Sequence, residues 1–290
     1  MSVPVNLLKP EQRYWYAQLV LAAILADGEI DSAEVEFLKQ VIGVVKEDQL
    51  RAQLMKHVQS KVPPEIKEPP SHIPDQIMAA IFAELILICI CDHDFAEQEE
   101  KFLRQVADVM LFTEPFYRTM MNWLNEGLAW KKAEAELLPP GLGITPGEVP
   151  ITDFDGDQKY WYARLMIITL MLDGKIDEME VNFMKMAISF CEEASEKKEL
   201  VGYVKNRLSP TLKEPYGFSK PQLISIFLSV LQIVTADEAL TYKEQTYLQQ
   251  LADMCEFEKP LFDKFIAWTN QGMLWKNNKN SLIQRVRRKT

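Results

Sequence analysis

Between Tyr16 and Ala26 nearly every residue is apolar, which predicts a central helix surrounded on all sides by others. Val35, Phe37, Leu38, Val41 and Ile42 then recur at helical spacing, with Glu34, Glu36, Lys39 and Gln40 left outside. Phe102, Leu103, Val106, Val109 and Met110 repeat that pattern within Glu97 to Met110. No six-residue alternation with hairpin chemistry is found, so no strand is predicted. The most apolar window, Ile77 to Cys91, holds Glu84 at its centre. It falls short of the roughly 20 apolar residues that cross a bilayer, and reads as a buried core helix. Pro63 to Pro74, with five prolines, reads as an extended connection.

The chain is written twice. Tyr14-Trp15-Tyr16-Ala17 returns as Tyr160-Trp161-Tyr162-Ala163, and 13 of 26 positions from Tyr14 to Lys39 are identical in Tyr160 to Lys185. Lys67-Glu68-Pro69 returns as Lys213-Glu214-Pro215. Trp123, Asn125, Gly127, Trp130 and Lys131 return as Trp268, Asn270, Gly272, Trp275 and Lys276. The period is too long for a solenoid and indicates a duplicated domain. The expected fold is all-α: two helical bundles of about six or seven helices each, at 1–138 and 158–278. A Pro/Gly-rich linker, 139–157, joins them, and a basic tail, 279–290, follows.

Composition narrows the class. The 290 residues are 48% hydrophobic and 26% charged, as in a globular protein, and 11 Gly with 16 Pro are too few for many short strands. Four cysteines without a CxxC pair exclude a disulfide framework and a zinc ribbon, and fit a reducing cytoplasm. Met1 to Pro10 lacks the basic head and apolar stretch of a signal peptide. The net charge of −10 opposes general binding to nucleic acid. The exception is Lys276 to Thr290, with six basic residues and no acid, which reads as a solvated end or an anionic docking tail.

The candidate chemistry sits in four helix junctions. Asp27-Gly28-Glu29-Ile30-Asp31-Ser32-Ala33-Glu34 joins an apolar helix to an amphipathic one, and Asp173 to Glu180 repeats it. Asp92 to Glu99 and Asp237 to Glu244 are weaker versions, each with an Asp ending an apolar run and a Glu seven positions later. Asp31 with Glu34, Asp177 with Glu180, and Thr241 with Glu244 have capping-box spacing. The first Asp of each junction is different. A carboxylate at a helix C-terminus faces the negative end of the dipole, unfavourable by about 0.3–1 kcal/mol. Its compensation is a Lys or Arg, a backbone N–H of the turn, or a metal ion. If junctions meet, their carboxylates form an all-oxygen site suited to Ca²⁺, Mg²⁺ or Mn²⁺. The candidate ligands are Asp27, Asp31, Glu34, Asp92 and Glu99, then Asp173, Asp177, Glu180, Asp237 and Glu244. No organic cofactor is expected.

This junction, with a weaker echo about 65 residues later, resembles the tellurite-resistance TerB family, which includes N-terminal regions of membrane-anchored DnaJ-like co-chaperones. The resemblance covers both halves. It implies an all-α fold of about seven helices per half and a clustered acidic, metal-binding site at those positions. His93 and Glu238 stand where the second junctions would carry Gly, and Ala96 stands where a cap would be.

Other motifs carry less. Asp153-Phe154-Asp155-Gly156-Asp157 resembles the start of an EF-hand, but Arg164 occupies the twelfth position, so a helix cap is expected instead. His57, His72 and His93 form no Glu-x-x-His pair. Trp123 with Trp130 and Trp268 with Trp275 sit seven apart on single helix faces, as core stripes or as the lining of a peptide groove. The expected function is a cytoplasmic, non-enzymatic scaffold or sensor in a stress-response or envelope-associated assembly. A protein would be its partner, with nucleic acid or anionic lipid reached only through the tail. The competing class is a metal-dependent hydrolase in which the ion activates water between the carboxylates.

Overall fold

A computed structural model describes residues 3–26, 38, 41–137, 149–172, 178–234 and 240–289. Their regular structure is helical, with no strand among the described residues and one isolated bridge, between Phe112 and Arg288. The α-helices are α1 (Pro10–Ile24), α2 (Asp48–Ser60), α3 (Asp75–Cys89), α4 (Glu97–Val109) and α5 (Glu114–Leu137), then α6 (Gly156–Leu170), α7 (Glu178–Phe190), α8 (Ala194–Asn206), α9 (Lys220–Val234), α10 (Tyr242–Met254) and α11 (Lys259–Gln284). Short 3-10 turns, Val5–Leu7 and Ile151–Asp153, precede α1 and α6. Contacts divide the chain into two units, Met1–Lys131 with Asn277–Thr290, and Lys132–Lys276. The basic stretch set apart by its composition thus belongs to the first unit.

In that unit α1 is the hub. Pro10 sits in the first turn, where its missing N–H is no loss, and the Gln12 side chain reaches back to the Lys9 amide at 2.8 Å. Trp15 to Ala17 and Leu19 to Leu25 are buried, against α3 above all and also against α2 and α4. Each fully buried Leu, Val or Ile stabilises by about 1.5–3 kcal/mol. Helix α3 is buried on nearly every face, as its composition predicts, and Glu84 within it is 2% exposed. Its carboxylate accepts from the Tyr16 hydroxyl and, at 3.2 Å, from the Val3 amide, so a charge that would cost several kcal/mol alone is hydrogen-bonded. Lys279 adds a cation to this interior: burial pulls its pKa down, and the charge of Glu84 opposes that shift.

The second unit is built around α6, which packs on α7, α8 and α9. Asp155 caps it, its Oδ1 accepting from Gln158 N at 2.8 Å while Gln158 Oε1 accepts from Asp155 N at 2.9 Å. The would-be calcium loop is therefore a capping box, as its ligand spacing implied. Phe227, Phe257 and Phe265 form the aromatic centre, with ring centroids 5.0–5.6 Å apart. A buried carboxylate occurs here too. Glu134, in the last turns of α5, is 2% exposed and accepts from Gln232 Nε2 at 2.8 Å.

Local detail recurs in both units. Trp15 Nε1 donates to Lys67 O at 2.7 Å, and Trp161 Nε1 donates to Lys213 O at 2.7 Å. Helices α2 and α8 end on left-handed residues, Lys61 (φ 52°) and Arg207 (φ 54°). Helices α4 and α10 are each followed by another, Leu111 (φ 60°) and Glu256 (φ 54°). In each case the next amide bonds back across the turn, as Phe112 N does to Ala107 O and Phe257 N to Ala252 O. Trp123, Trp130, Trp268 and Trp275 are all buried, which fits the core reading of the stripes.

Candidate functional site

The junction after α3 is built from the helix end outward. Ile90 closes the helix, and His93 turns the chain in the left-handed region (φ 73°), its amide bonding Ile90 O. Asp92, the residue placed against the dipole, is exposed, and its Oδ1 accepts from the Asp94 amide at 3.0 Å. Of the compensations open to it, a turn N–H is in place. Lys131 Nζ, from α5, donates to Cys91 O at 3.0 Å and sets a cation at the negative end of α3. Seven residues on, Glu99 is 8% exposed, and its Oε2 accepts from Ala96 N at 2.7 Å. Alanine has no side-chain acceptor to return the bond, so this is half a capping box.

The junction before α10 carries the complete box. Glu244 Oε2 accepts from the Thr241 amide at 2.6 Å and hydroxyl at 2.7 Å, and Glu244 N donates to Thr241 Oγ1 at 3.2 Å. Lys243 turns the other way and donates to Leu172 O at 2.5 Å, at the end of α6. Lys131 and Lys243 each bring a cation to a carbonyl just past the end of an apolar helix, 40 and 71 positions away in sequence, which spacing does not reveal.

Of the ten candidate ligands, Asp92, Glu99 and Glu244 are thus accounted for by turn and cap hydrogen bonds. Asp27, Asp31, Glu34, Asp173, Asp177 and Asp237 lie outside the described residues. Glu180 lies in α7, but its side chain is outside the described set. Among the described residues no group of three or more His, Cys, Asp or Glu side chains is placed to hold a metal ion.

A second feature emerges from the proline-rich arm. Residues 62–74 run extended beside α1, held by Trp15 on Lys67 O and by Gln12 Nε2 on Ser71 Oγ (2.9 Å) and His72 O (3.0 Å). The buried Ile73 anchors the arm's end. Between the arm, α3 and the end of α4 lies a cleft of about 330 Å³, lined by Glu68, His72, Met78, Leu111 and Arg288 among others. It shares Glu68 and Val109 with a broader groove of about 800 Å³ along α4, walled by Glu97, Glu100, Lys101, Arg104 and Tyr117.

Arg104 organises this groove. Its guanidinium lies 4.7 Å from the Tyr117 ring centroid, bonds Glu114 Oε2 at 2.7 Å and pairs with Asp108 at 3.6 Å. Hydrogen bonds from Arg104 and then Arg118 hold the Glu114 carboxyl below its usual range. Burial pushes the Tyr117 phenol up, against the pull of Arg104. A wall with both signs of charge beside an aromatic face suits a polypeptide better than an ion. The sequence signal for it was the run of prolines, read only as a connection. Among the described residues no helix is long and apolar enough to cross a membrane. Comparison with protein-family models, with curated proteins and with solved structures finds no match for this chain.

Proposed function

We propose that this protein is a non-enzymatic scaffold built from two copies of one helical unit, and that it works by docking another polypeptide. The observation that carries the reading is the groove along α4, continuous with the cleft under the proline-rich arm, where Arg104, Lys101, Glu97 and Tyr117 present paired charges and an aromatic face. The junction motif's resemblance to the TerB family points the scaffold toward stress-response assemblies. In this reading a divalent ion braces the first junction of each half, at Asp27, Asp31 and Glu34 and at Asp173, Asp177 and Glu180. At the junction after α3 the positive role falls to Lys131 and to a turn amide, which supports placing no ion there.

The test is cross-linking in the native host, followed by mass spectrometry, with wild type and an Arg104→Glu, Lys101→Glu variant. Proteins joined to peptides bearing the groove residues should be recovered from wild type and depleted from the variant. Equal recovery from both would overturn the reading.

A further inference from the structure

The segment after α11 is a bound peptide in all but covalent connection. Helix α11 ends at Gln284, and the chain then runs extended along the turn between α4 and α5. Leu111, in the left-handed conformation, and Thr113 offer main-chain groups on one edge of that turn. Lys289 N donates to Leu111 O at 2.6 Å, and Thr113 N donates to Arg287 O at 3.0 Å. These two bonds frame the antiparallel bridge of Phe112 with Arg288.

Side chains of an extended chain alternate, so Val286 and Arg288 share one side. Val286 enters the core and is 7% exposed. Arg288 donates from Nε to Met110 O at 2.8 Å and from a terminal nitrogen to Asp75 Oδ1 at 3.0 Å. Lys289 pairs with Asp108 at 3.6 Å. Main-chain bonds thus supply sequence-independent affinity. An apolar slot, a carbonyl with a carboxylate, and a second carboxylate read the pattern apolar–x–Arg–Lys. Arg288 and Leu111 are also walls of the cleft described above, so leaving the seat would widen it.

We propose that Met110 to Thr113, with Asp75 and Asp108, form a docking seat for an extended basic segment of that pattern. Residues 286–289 fill the seat in cis, and a partner protein carrying the same pattern competes for it. The proposal rests on the reading of the adjoining groove as a docking surface and names the chemistry of the occupant. Held in cis at millimolar effective concentration, the chain's own segment sets a threshold that a partner must exceed.

The experiment uses the full chain. A Val286→Asp, Arg288→Asp variant disfavours occupancy of the seat while leaving Met110 to Thr113, Asp75 and Asp108 unsubstituted. The probe is a fluorescein-labelled peptide with the sequence of residues 281–290, followed by anisotropy. The variant should bind it at least about tenfold more tightly than wild type, because the wild-type seat is occupied. Adding Asp75→Asn should weaken that binding, and raising salt from about 50 to about 300 mM should do the same. Hydrogen exchange at Thr113 should be fast in the variant and slow again with peptide bound. Equal binding to wild type and variant would overturn the proposal, as would no binding to a variant of native helicity. Wild type that fills the seat by exchanging segments between two copies, seen as a dimer, would overturn the cis occupancy. If the double variant loses helical signal, Arg288→Ala replaces it with the same two outcomes. Peptide failure with groove cross-links intact sinks only this proposal; loss of both sinks the scaffold reading beneath it.

Discussion

The Tyr16 hydroxyl donates to Glu84 Oε1 across 2.8 Å, joining α1 to α3 through a hydrogen bond between two buried side chains. Neither residue alone suits an apolar interior; each makes the other tolerable. Tyr16→Phe should therefore destabilise by about 1–3 kcal/mol, the penalty for leaving a buried acceptor short of a donor. Thermal melting reads it as a drop of several degrees. Glu84→Gln should cost less, since an amide retains an acceptor for Tyr16. Were Tyr16→Phe neutral, the pair would contribute nothing to holding the two helices together.

Two buried thiols contribute to a loss of stability in alkali. Burial pushes Cys191 up from 9.0 to about 11, with Glu196 adding to the shift, and burial alone pushes Cys255 up to about 12. Above pH 9 the unfolded chain releases these protons while the folded chain keeps them. Stability is whole below pH 9 and falls as pH rises toward those values, by up to about 1.4 kcal/mol per pH unit for each thiol. Denaturant melts at pH 8, 9 and 10 should show the fall, and Cys255→Ala should flatten it. An unchanged slope in that variant would remove Cys255 from the account.

Capping at the two described junctions should differ measurably. Thr241→Ala removes an acceptor from Glu244 N and a donor to Glu244 Oε2, and should cost about 1 kcal/mol. At the matching place Ala96 already lacks the hydroxyl, so Ala96→Thr should stabilise by a similar amount. Chemical denaturation of the two variants checks both signs.

Glu256 is exposed and held at φ 54°, where a side chain is strained by about 1–2 kcal/mol and glycine is not. Glycine's greater freedom in the unfolded chain offsets about half of that. Glu256→Gly should raise the melting midpoint by about 1–4 °C. A lowered midpoint would mean that the Glu256 side chain makes a stabilising contact.

For the ions, a melting scan in EDTA and then in millimolar Ca²⁺, Mg²⁺ or Mn²⁺ should raise the midpoint. An ion at a hundred times its dissociation constant adds about 2.7 kcal/mol. Asp27→Asn with Asp173→Asn should abolish the rise while helicity persists. No shift with any of the three ions would leave the scaffold without a bound metal.

Much of this was legible in the residues. The almost wholly apolar runs of α1 and α3, each interrupted by a single polar residue, announce buried helices, because no polar face is left to expose. Thr241 and Glu244 spell a cap three residues apart, and that bond is local enough to read from spacing. What stayed hidden was long-range. Arg288 reaches a carbonyl 178 positions away, and Lys131 one 40 positions away. A basic run looks the same whether it is solvated or seated, since composition records charge and not the carbonyls waiting for it. The proline arm was legible as extended, but the cleft beneath it depends on where Trp15 and Gln12 pin it.

The burial of Val286 bears on how the protein is handled at the bench. Trimming the last dozen residues, a routine step to tidy a charged end, would strip a buried side chain from the first unit and leave the Leu111 carbonyl and Thr113 amide without their main-chain partners. Such a shortened product should be prone to clumping, and any loss of binding it showed would say little about electrostatics. Labels and purification handles belong elsewhere on the molecule.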